Sequence, residues 1–489
     1  MALSLLGMLH PFPAVSASQG VESRPSSPTS YLRSVFSGVS VRPILTVGET
    51  RPRTSNPSEA FRFIGIPDGM AIRETDGLAL LYVNHELGHG ESSEPVVGKA
   101  PVRGAFVSQW VLSPQSGEIL SGDFAYDSVE GVAVPPPKDG AFGRFCSSTL
   151  AGPAQGFDRW IYFTGEEAEG DDSFDGKGGQ AVAVMDRKAY LLPDLGRFRK
   201  ENVIPLPTGG SQTMIFALED GPDGLKSQLY LYLGRKDPAA SSLLVRNGLV
   251  GGSLYVLSPV DSTQKDEKAF HKGEGSLQAR WLLLPDAARL NEKELEKLSE
   301  KIGAFRFARI EDGAYDPKDH SVLYFVTTGD DPSNRQGRLY RVKFSLKDPI
   351  SQPAILDILF EGDRGDPIYS PDNLAFNTES QLMILEDPSK LYWGDLPGGR
   401  ESSVWLYELK TGALRRIAEV DQRVQPLFRR GPPGSWEPSG IIDASSLFGK
   451  GAWLLNVEAH SSGLIKALNY LKPPPYVEEG QILLLKTSQ

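Results

Sequence analysis

The chain has 489 residues, and 62 acidic against 51 basic side chains leave a net charge of −11, which argues against a nucleic-acid partner and is compatible with bound cations. A single cysteine excludes an internal disulfide framework, and no apolar run reaches the roughly 18–20 residues of a spanning helix, so no integral membrane segment is expected. The 51 glycines and 37 prolines suit many short strands joined by turns.

Residues 1–48 differ from the rest. They hold one acidic residue, Glu22, with many serines and prolines and the arginines Arg24, Arg33 and Arg42. MALSLLGML could serve as a short apolar core of an export signal and AVSASQ as its cleavage zone. The Arg/Ser-rich, acid-poor remainder would equally suit organelle targeting. The segment is therefore expected to be a leader, removed or disordered, on a protein that is exported (periplasmic or extracellular) or, alternatively, organelle-targeted. The fold is expected to occupy 49–489.

Beyond residue 48 one pattern recurs six times. An apolar strand runs into a polar or acidic cluster at LALLYVNHE (78–86), RWIYFTGEE (159–167), QLYLYLGRKD (228–237), VLYFVTTGDD (322–331), QLMILEDPS (381–389) and AWLLNVEAH (452–460). A second strand-like element precedes each: PDGMAI (67–72), EGVAV (130–134), TMIFAL (213–218), EDGAYDP (311–317), PDNLAF (371–376) and EPSGIIDAS (437–445). With the further strand runs between them, the repeat predicts four-stranded antiparallel units. Six units arranged radially give an all-β fold, a six-bladed β-propeller with short helical insertions. One such insertion is NEKELEKLSEKIG (291–303), an Asn-capped amphipathic helix closed by glycine.

In a propeller the innermost strands line a channel. The residues leading them would be Asp68, Glu130, Thr213, Glu311, Asp372 (with Asn373) and Glu437. The second strands run back to the same mouth and bring Asn84-His85-Glu86, Glu166-Glu167, Arg235-Lys236-Asp237, Asp330-Asp331, Glu386-Asp387 and Glu458-His460. So many carboxylates at one mouth repel unless cations neutralise them, and hard oxygen ligands select Ca²⁺ or a similar ion. HELGH (85–89) matches the H-E-x-x-H pattern of zinc peptidases, which needs a helix. Its flanks predict a strand running into glycine and serine breakers, so Asn84 and Glu86 are placed at the mouth and His89 in a loop. Cys146, in GRFCSSTLAGP, adds a soft ligand that would draw the site toward a transition metal such as iron. Arg309 and Glu311, two apart on a strand, point the same way and suit a clamp on phosphate or carboxylate.

In combination, IPDGMAI, VNHE, GAFVSQW, RFC…FTGEE, ARIEDGAYDP, SPDNLAF, EPSGIID and VEAH give a chain that resembles the PhoX-type alkaline phosphatases over about 49–489. The resemblance implies a mouth site of ferric and calcium ions that hydrolyses phosphomonoesters. The family's iron-ligating cysteine falls on Cys146, its Arg-x-Glu pair on Arg309 and Glu311, and its Glu-Glu blade end on Glu166 and Glu167. One departure stands out. Where the family has an acidic third-blade cluster this chain has GRKD, with Glu219 or Asp237 as candidate substitutes. The expectation is a metal-dependent phosphomonoester hydrolase, monomeric, with Ca²⁺ and Fe³⁺, in which Arg309 is catalytic. Asp68, Asn84, Glu86, Glu130, Cys146, Glu166, Glu167, Glu311, Asp372, Asn373 and Glu437 would surround the metals. The rival readings are a calcium-dependent lactonase-type hydrolase and a calcium-stabilised binding propeller without catalysis.

Overall fold

A computed structural model describes residues 29–131, 140–388, 394, 396–471 and 474–488. Its inner strands are Pro67–Thr75, Phe145–Ala151, Lys200–Pro205, Ile310–Tyr315, Pro371–Phe376 and Glu437–Asp443. They neighbour one another in that order, and the last returns against the first, closing a ring. Each is the first strand of an antiparallel group, and the third and fourth groups join into one nine-stranded sheet through Leu277–Leu284 and Ala354–Glu361. The arrangement is propeller-like, with sheets packed face to face. That explains why second strands such as Ile161–Glu166 and Ala452–Ala459 are buried at every position instead of alternating. Aromatic and branched residues fill the spaces between sheets, with Trp110, Trp436 and Trp453 wholly enclosed.

Two inner strands differ from the expected ones. In the second group the inner strand is Phe145–Ala151 instead of EGVAV; only Ser128–Glu130 of that stretch is a described strand, an outer edge parallel to Lys188–Leu191, and residues 132–134 lie outside the described residues. In the third group the inner strand is Lys200–Pro205, and TMIFAL belongs to the second strand, Gln212–Glu219. The run QLYLYLGRKD is then a third strand, pointing away from the mouth. The helix Glu292–Ile302 forms as expected, with Asn291 capping the Glu294 amide and Leu295 buried against the second and third groups.

The expected boundary at residue 48 also moves. Leu32–Ser34 pairs with Ala413–Val420 at the edge of the fifth sheet, and Val39–Thr46 pairs with the C-terminal strand Glu479–Thr487 from Val39↔Thr487 to Thr46↔Gln481. The sixth sheet thus takes its outer strand from the beginning of the chain and its other three from the end. Residues 1–28 lie outside the described residues. Deleting 1–48 removes the buried Leu32, Leu45 and Val47 as well as a strand ladder. By thermal unfolding it should cost on the order of 5 kcal/mol or more, or yield no folded protein.

Every inner strand shares one irregularity near the mouth. Its pairing with the second strand skips between Pro67 and Met70, Phe145 and Ser148, Lys200 and Val203, Ile310 and Gly313, Pro371 and Leu374, and Ser439 and Ile442. Such a bulge releases residues from the ladder and re-aims their side chains. In five of the six strands the released pair begins with an ionisable residue: Asp68-Gly69, Cys146-Ser147, Glu201-Asn202, Glu311-Asp312 and Asp372-Asn373. Gly69 is required by close approach, since a Cβ there would lie 2.4 Å from the Cys146 carbonyl oxygen.

Candidate functional site

The bulged inner strands and the ends of the second strands enclose a cavity of about 740 Å³ at the channel mouth. Its lining includes Asp68 and Glu86 from the first group, Cys146 and Glu167 from the second, and Glu201 and Asp220 from the third. Glu311 and Asp330 come from the fourth, Asp372 and Asp387 from the fifth, and Glu437 and His460 from the sixth.

Cys146 Sγ lies 2.9 Å from Glu167 Oε2 and 3.1 Å from Glu86 Oε1. Across the channel Ser147 Oγ donates to Glu201 Oε1 at 2.6 Å, Asn373 Nδ2 donates to Ser147 Oγ at 3.3 Å, and Ser439 Oγ contacts Asn373 Oδ1 at 2.7 Å and also Asp68. A row of hydroxyl and amide groups therefore joins Asp68 to Glu201 beneath the mouth.

The ring has two unlike arcs. Two residues before the mouth residue, the second, third and fourth inner strands carry Arg144, Arg199 and Arg309; the first, fifth and sixth carry Ile66, Ser370 and Ser435. Arg144 bridges Glu86 and Glu167, Arg199 bridges Glu167 and Asp220, and Arg309 grips Asp220 with two bonds of 3.0 Å. Arg309 also lies 3.1 Å from Glu311 and 3.5 Å from Asp330. Arg144 and Arg309 adopt left-handed backbone angles, φ 40° and 57°, a conformation costing about 1–2 kcal/mol for a side-chain-bearing residue.

Along the ring, ligand atoms of successive triads come within 4.8 Å of one another: Asp68–Glu86–Cys146, Cys146–Glu167–Glu201, Glu201–Glu311–Asp372, Asp372–Asp387–Glu437 and Glu437–Glu458–His460. The fully buried Glu458 leaves both carboxylate oxygens without a hydrogen-bond donor, with His460 Nε2 3.7 Å away and the like charges of Glu86 and Asp68 acting on it. Burial, then mutual repulsion, pushes Asp68, Glu201, Glu311, Asp372, Glu437 and Glu458 well above the usual carboxylate range. Burial and the neighbouring Glu167, Glu201 and Glu86 push the Cys146 thiol up as well. For Glu167 burial acts against ionisation, but Arg144 and Arg199 outweigh it and hold the carboxyl at about 2. A cation seated among these groups would supply the missing partner.

Several predicted residues stand elsewhere. Glu130 is partly exposed on the outer edge of its sheet, 2.7 Å from Lys188, because the strand it ends is not an inner one. Thr213 starts a second strand, so it lies at the far end and donates to the Asn247 carbonyl. Glu166 turns away from the cavity and accepts the amides of Gly143, Phe174 and Gln180. Asn84 is wholly buried behind the mouth, accepting from Tyr162 and donating to the Cys146 carbonyl and Thr164. Asn373 sits in the channel as described. Lys236 is far from the mouth and donates to the Gln212 carbonyl, whereas the third group reaches the mouth through Asp220; Glu219 is buried beside Gln228 and Tyr230. The GRKD departure is thus a matter of strand assignment.

His85 ends a strand, as expected, and takes no helical position. Its ring stacks on Phe106 at 4.5 Å and meets Ser108 Oγ at 2.8 Å, and burial lowers it to about 3, leaving it neutral. The residues missed in the sequence are Glu201, Asp220, Arg144 and Arg199. The triplet Arg-x-Cys/Glu, present as RFC, RKE and RIE, is the signal that could have found all but Asp220.

Because the carboxylates raised by burial bind protons in the folded state that the unfolded chain has released, cation-free protein should lose stability as pH rises from about 4 upward. In excess chelator the melting temperature should therefore fall between pH 5 and pH 8, and added Ca²⁺ should restore it most at the higher pH. A chelator-insensitive melting curve would contradict this.

Fold and mouth together define a propeller-like protein whose cavity joins an arc of clustered carboxylates to an arc of arginines. The family this chain is similar to is that of the PhoX alkaline phosphatases: the sequence model described as Alkaline phosphatase PhoX matches residues 184–404. Pseudomonas fluorescens PhoX in complex with vanadate, a transition state analogue, superposes with a TM-score of 0.64 at 16% identity, covering 95% of this chain and 97% of that one. A luciferin-regenerating enzyme aligns at a TM-score of 0.37 and 11% identity over 92% of this chain and 95% of its own. No curated protein matches the chain.

Proposed function

We propose that the protein is a metal-dependent phosphomonoester hydrolase of the alkaline phosphatase kind. The observation that carries this reading is the adjacency of the two arcs: acidic triads suited to cations adjoin three arginines suited to a phosphoryl anion. Similarity to the PhoX family supports it.

The donor sets fit the implied metals. Cys146 with Glu86, Glu167, Asp68 and Glu201 offers a thiolate among carboxylates and would hold iron; Glu311, Asp372, Asp387, Glu437 and Glu458, with oxygen donors only, would hold calcium. Bound there, the cations would supply Lewis acidity toward phosphoryl oxygens and activate the attacking oxygen. The chain's own contribution is binding and orientation. Arg309, now holding Asp220 with two parallel bonds, presents the fork that matches two phosphoryl oxygens and offsets charge that develops on them. Arg144 and Arg199 keep Glu167 ionised and so ready as a ligand. Asn84 and the Ser147–Asn373–Ser439 row fix the backbone and side chains of the mouth from below. The reading is of an exported, monomeric enzyme; among the described residues no helix is long and apolar enough to cross a membrane.

The test is hydrolysis of a simple aryl phosphate from pH 6 to 10, with metal analysis of the same preparation. Native protein should contain calcium and iron and turn over the ester. Cys146→Ala should lose iron and fall to background while keeping its circular dichroism, since a thiolate ligand is removed without disturbing the strand. Native protein with calcium alone and no phosphatase activity would favour the calcium-dependent hydrolase or binding propeller.

A further inference from the structure

The sixth group closes the ring with a donor of its own. Its second strand, Ala452–Ala459, carries Glu458 and runs into His460, and the inner strand brings Glu437 opposite through the pairing Glu437↔Glu458. Glu458 is wholly buried, yet no donor reaches either of its carboxylate oxygens. His460 supplies the only imidazole among the described residues that line the cavity. Its Nδ1 meets Glu478 Oε2 at 2.9 Å, and the same carboxylate accepts the Ser461 amide at 3.2 Å and pairs with Lys466 at 3.2 Å. A carboxylate flanked by an amide and an ammonium only accepts, so the Nδ1 proton belongs to this bond. The other nitrogen, Nε2, faces Glu458 Oε2 at 3.7 Å, beyond hydrogen-bond reach.

We propose that Glu437, Glu458 and His460 hold a divalent transition ion of the zinc kind, and that Glu478 is the positioning residue that orients His460 for it. The proposal rests on the reading of the mouth as a cation site and changes the ion expected at this point of the ring. Ligand atoms of the three residues lie within 4.8 Å of one another. A separation of 3.7 Å suits two donors each about 2.0–2.2 Å from one shared ion, which would also give the orphaned Glu458 its partner. Calcium takes oxygen donors, whereas an imidazole nitrogen suits zinc and its neighbours. Three protein donors leave a further position open toward the cavity, the arrangement of hydrolytic zinc sites. A protonated His460 is the competing cation, but it would donate from Nε2 to Glu458, and no such bond forms. The surrounding charges also call for a cation. Asp68 and Glu86 act on Glu458 and Asp387 acts on Glu437, while Arg144, the cation among them, is taken by Glu86 and Glu167. Glu91 stands near Glu478 and Lys466, one further charge of each sign beside it.

The backbone fixes Glu478 in place. Val477 adopts φ 69°, a left-handed conformation that a β-branched residue seldom takes. Such strain persists only where the surroundings hold it. Here the Val477 amide closes a turn on the Pro474 carbonyl at 3.2 Å, and the Gly65 amide donates to the Tyr476 carbonyl at 3.0 Å. Gly65 has no room for a side chain, since a Cβ there would lie 1.9 Å from the Glu478 carbonyl oxygen. A carboxylate bonded to the far nitrogen of a ligating imidazole fixes its tautomer and its ring orientation. The strained turn thus gains a purpose: it sets the one carboxylate that aims His460 at the ring.

The experiment is metal analysis of the full chain, stripped with chelator and then dialysed against Ca²⁺ and Zn²⁺ together. Wild type should retain one more Zn²⁺ per chain than His460→Ala, with near-UV circular dichroism unchanged. Cys146→Ala should keep that His460-dependent zinc, which separates it from any ion at the thiolate. Glu478→Gln leaves all three ligands in place and should weaken the same zinc by about 10–100-fold in chelator competition, a shift that a merely structural role would not produce. If His460→Ala does not fold, Glu478→Gln answers. Equal zinc in wild type and His460→Ala, or calcium alone in both, overturns the proposal and leaves the phosphatase reading to stand on aryl phosphate hydrolysis. His460-dependent zinc in a chain without phosphatase activity would overturn that reading and keep this one.

Discussion

Arg309→Ala is expected to lower turnover of an aryl phosphate by about 10²–10³-fold while bound metal stays at the wild-type level. The side chain, only 21% exposed, is the fork that grips Asp220 and reaches Glu311 and Asp330. Truncation removes a charge-assisted donor from an enclosed site where water screens poorly, which is where such donors count most. Arg309→Lys should recover little of the loss, because an ammonium cannot make the two parallel bonds. Metal loss in Arg309→Ala would instead make the residue a positioning group for Asp220 and Glu311, and wild-type turnover would remove it from catalysis altogether.

The second large effect belongs to Glu201→Gln. This carboxylate belongs to two triads, with Cys146 and Glu167 on one side and Glu311 and Asp372 on the other, and it accepts from Ser147. Losing its charge should reduce bound metal and bring hydrolysis to background. The same change should stabilise the protein in excess chelator at pH 8. Burial and the nearby Asp372 and Asp68 hold this carboxyl well above its unfolded value, so the folded state resists the ionisation that rising pH forces on the unfolded chain. An amide removes that penalty. The expected pattern is a higher melting temperature without metal and a smaller gain on adding it. Glu130→Ala, paired on the surface with Lys188, should change none of these quantities. Unaltered metal content in Glu201→Gln would refute its place among the ligands.

Much of the propeller was legible because apolar second strands end in acidic clusters, a pattern set by the chemistry of the mouth and repeated with it. Five of those six strands were read correctly. The third group failed because its inner strand, KENVIP, opens with a buried lysine and a buried glutamate, and a charged start does not look like a strand in the interior. Lys200 lies over the Phe198 ring at 3.5 Å and donates to backbone carbonyls, partners supplied by the tertiary fold. TMIFAL, more apolar, took its place in the reading and carried Thr213 and the GRKD run with it. Glu130 was misplaced for a related reason, the long stretch before Phe145. The strands Leu32–Ser34 and Val39–Thr46 were hidden by composition: serine, arginine and proline suit a leader, and only the pairing with Glu479–Thr487 shows otherwise. Cys146, Glu311 and Arg309, expected at the mouth, do line the cavity there. Glu166 was taken for Glu167's partner because adjacent residues on a strand alternate, and a sequence does not say which of the two faces the channel.

The bulges near the mouth bear on how such a site can change over time. Between Phe145 and Ser148, or between Lys200 and Val203, the side chains that line the cavity hang from backbone that has left the ladder, while regular pairing resumes immediately below with its register shifted by one residue. Exchange of a residue there breaks no strand hydrogen bond and shifts no apolar side chain to the wrong face. Each position behaves like a pin in a lock barrel, replaceable one at a time while the barrel keeps turning. The inner strands of this chain already hold three kinds of pin: aspartate, glutamate and cysteine. A lineage could therefore trade one metal for another, or abandon catalysis for binding, through single substitutions that leave folding untouched.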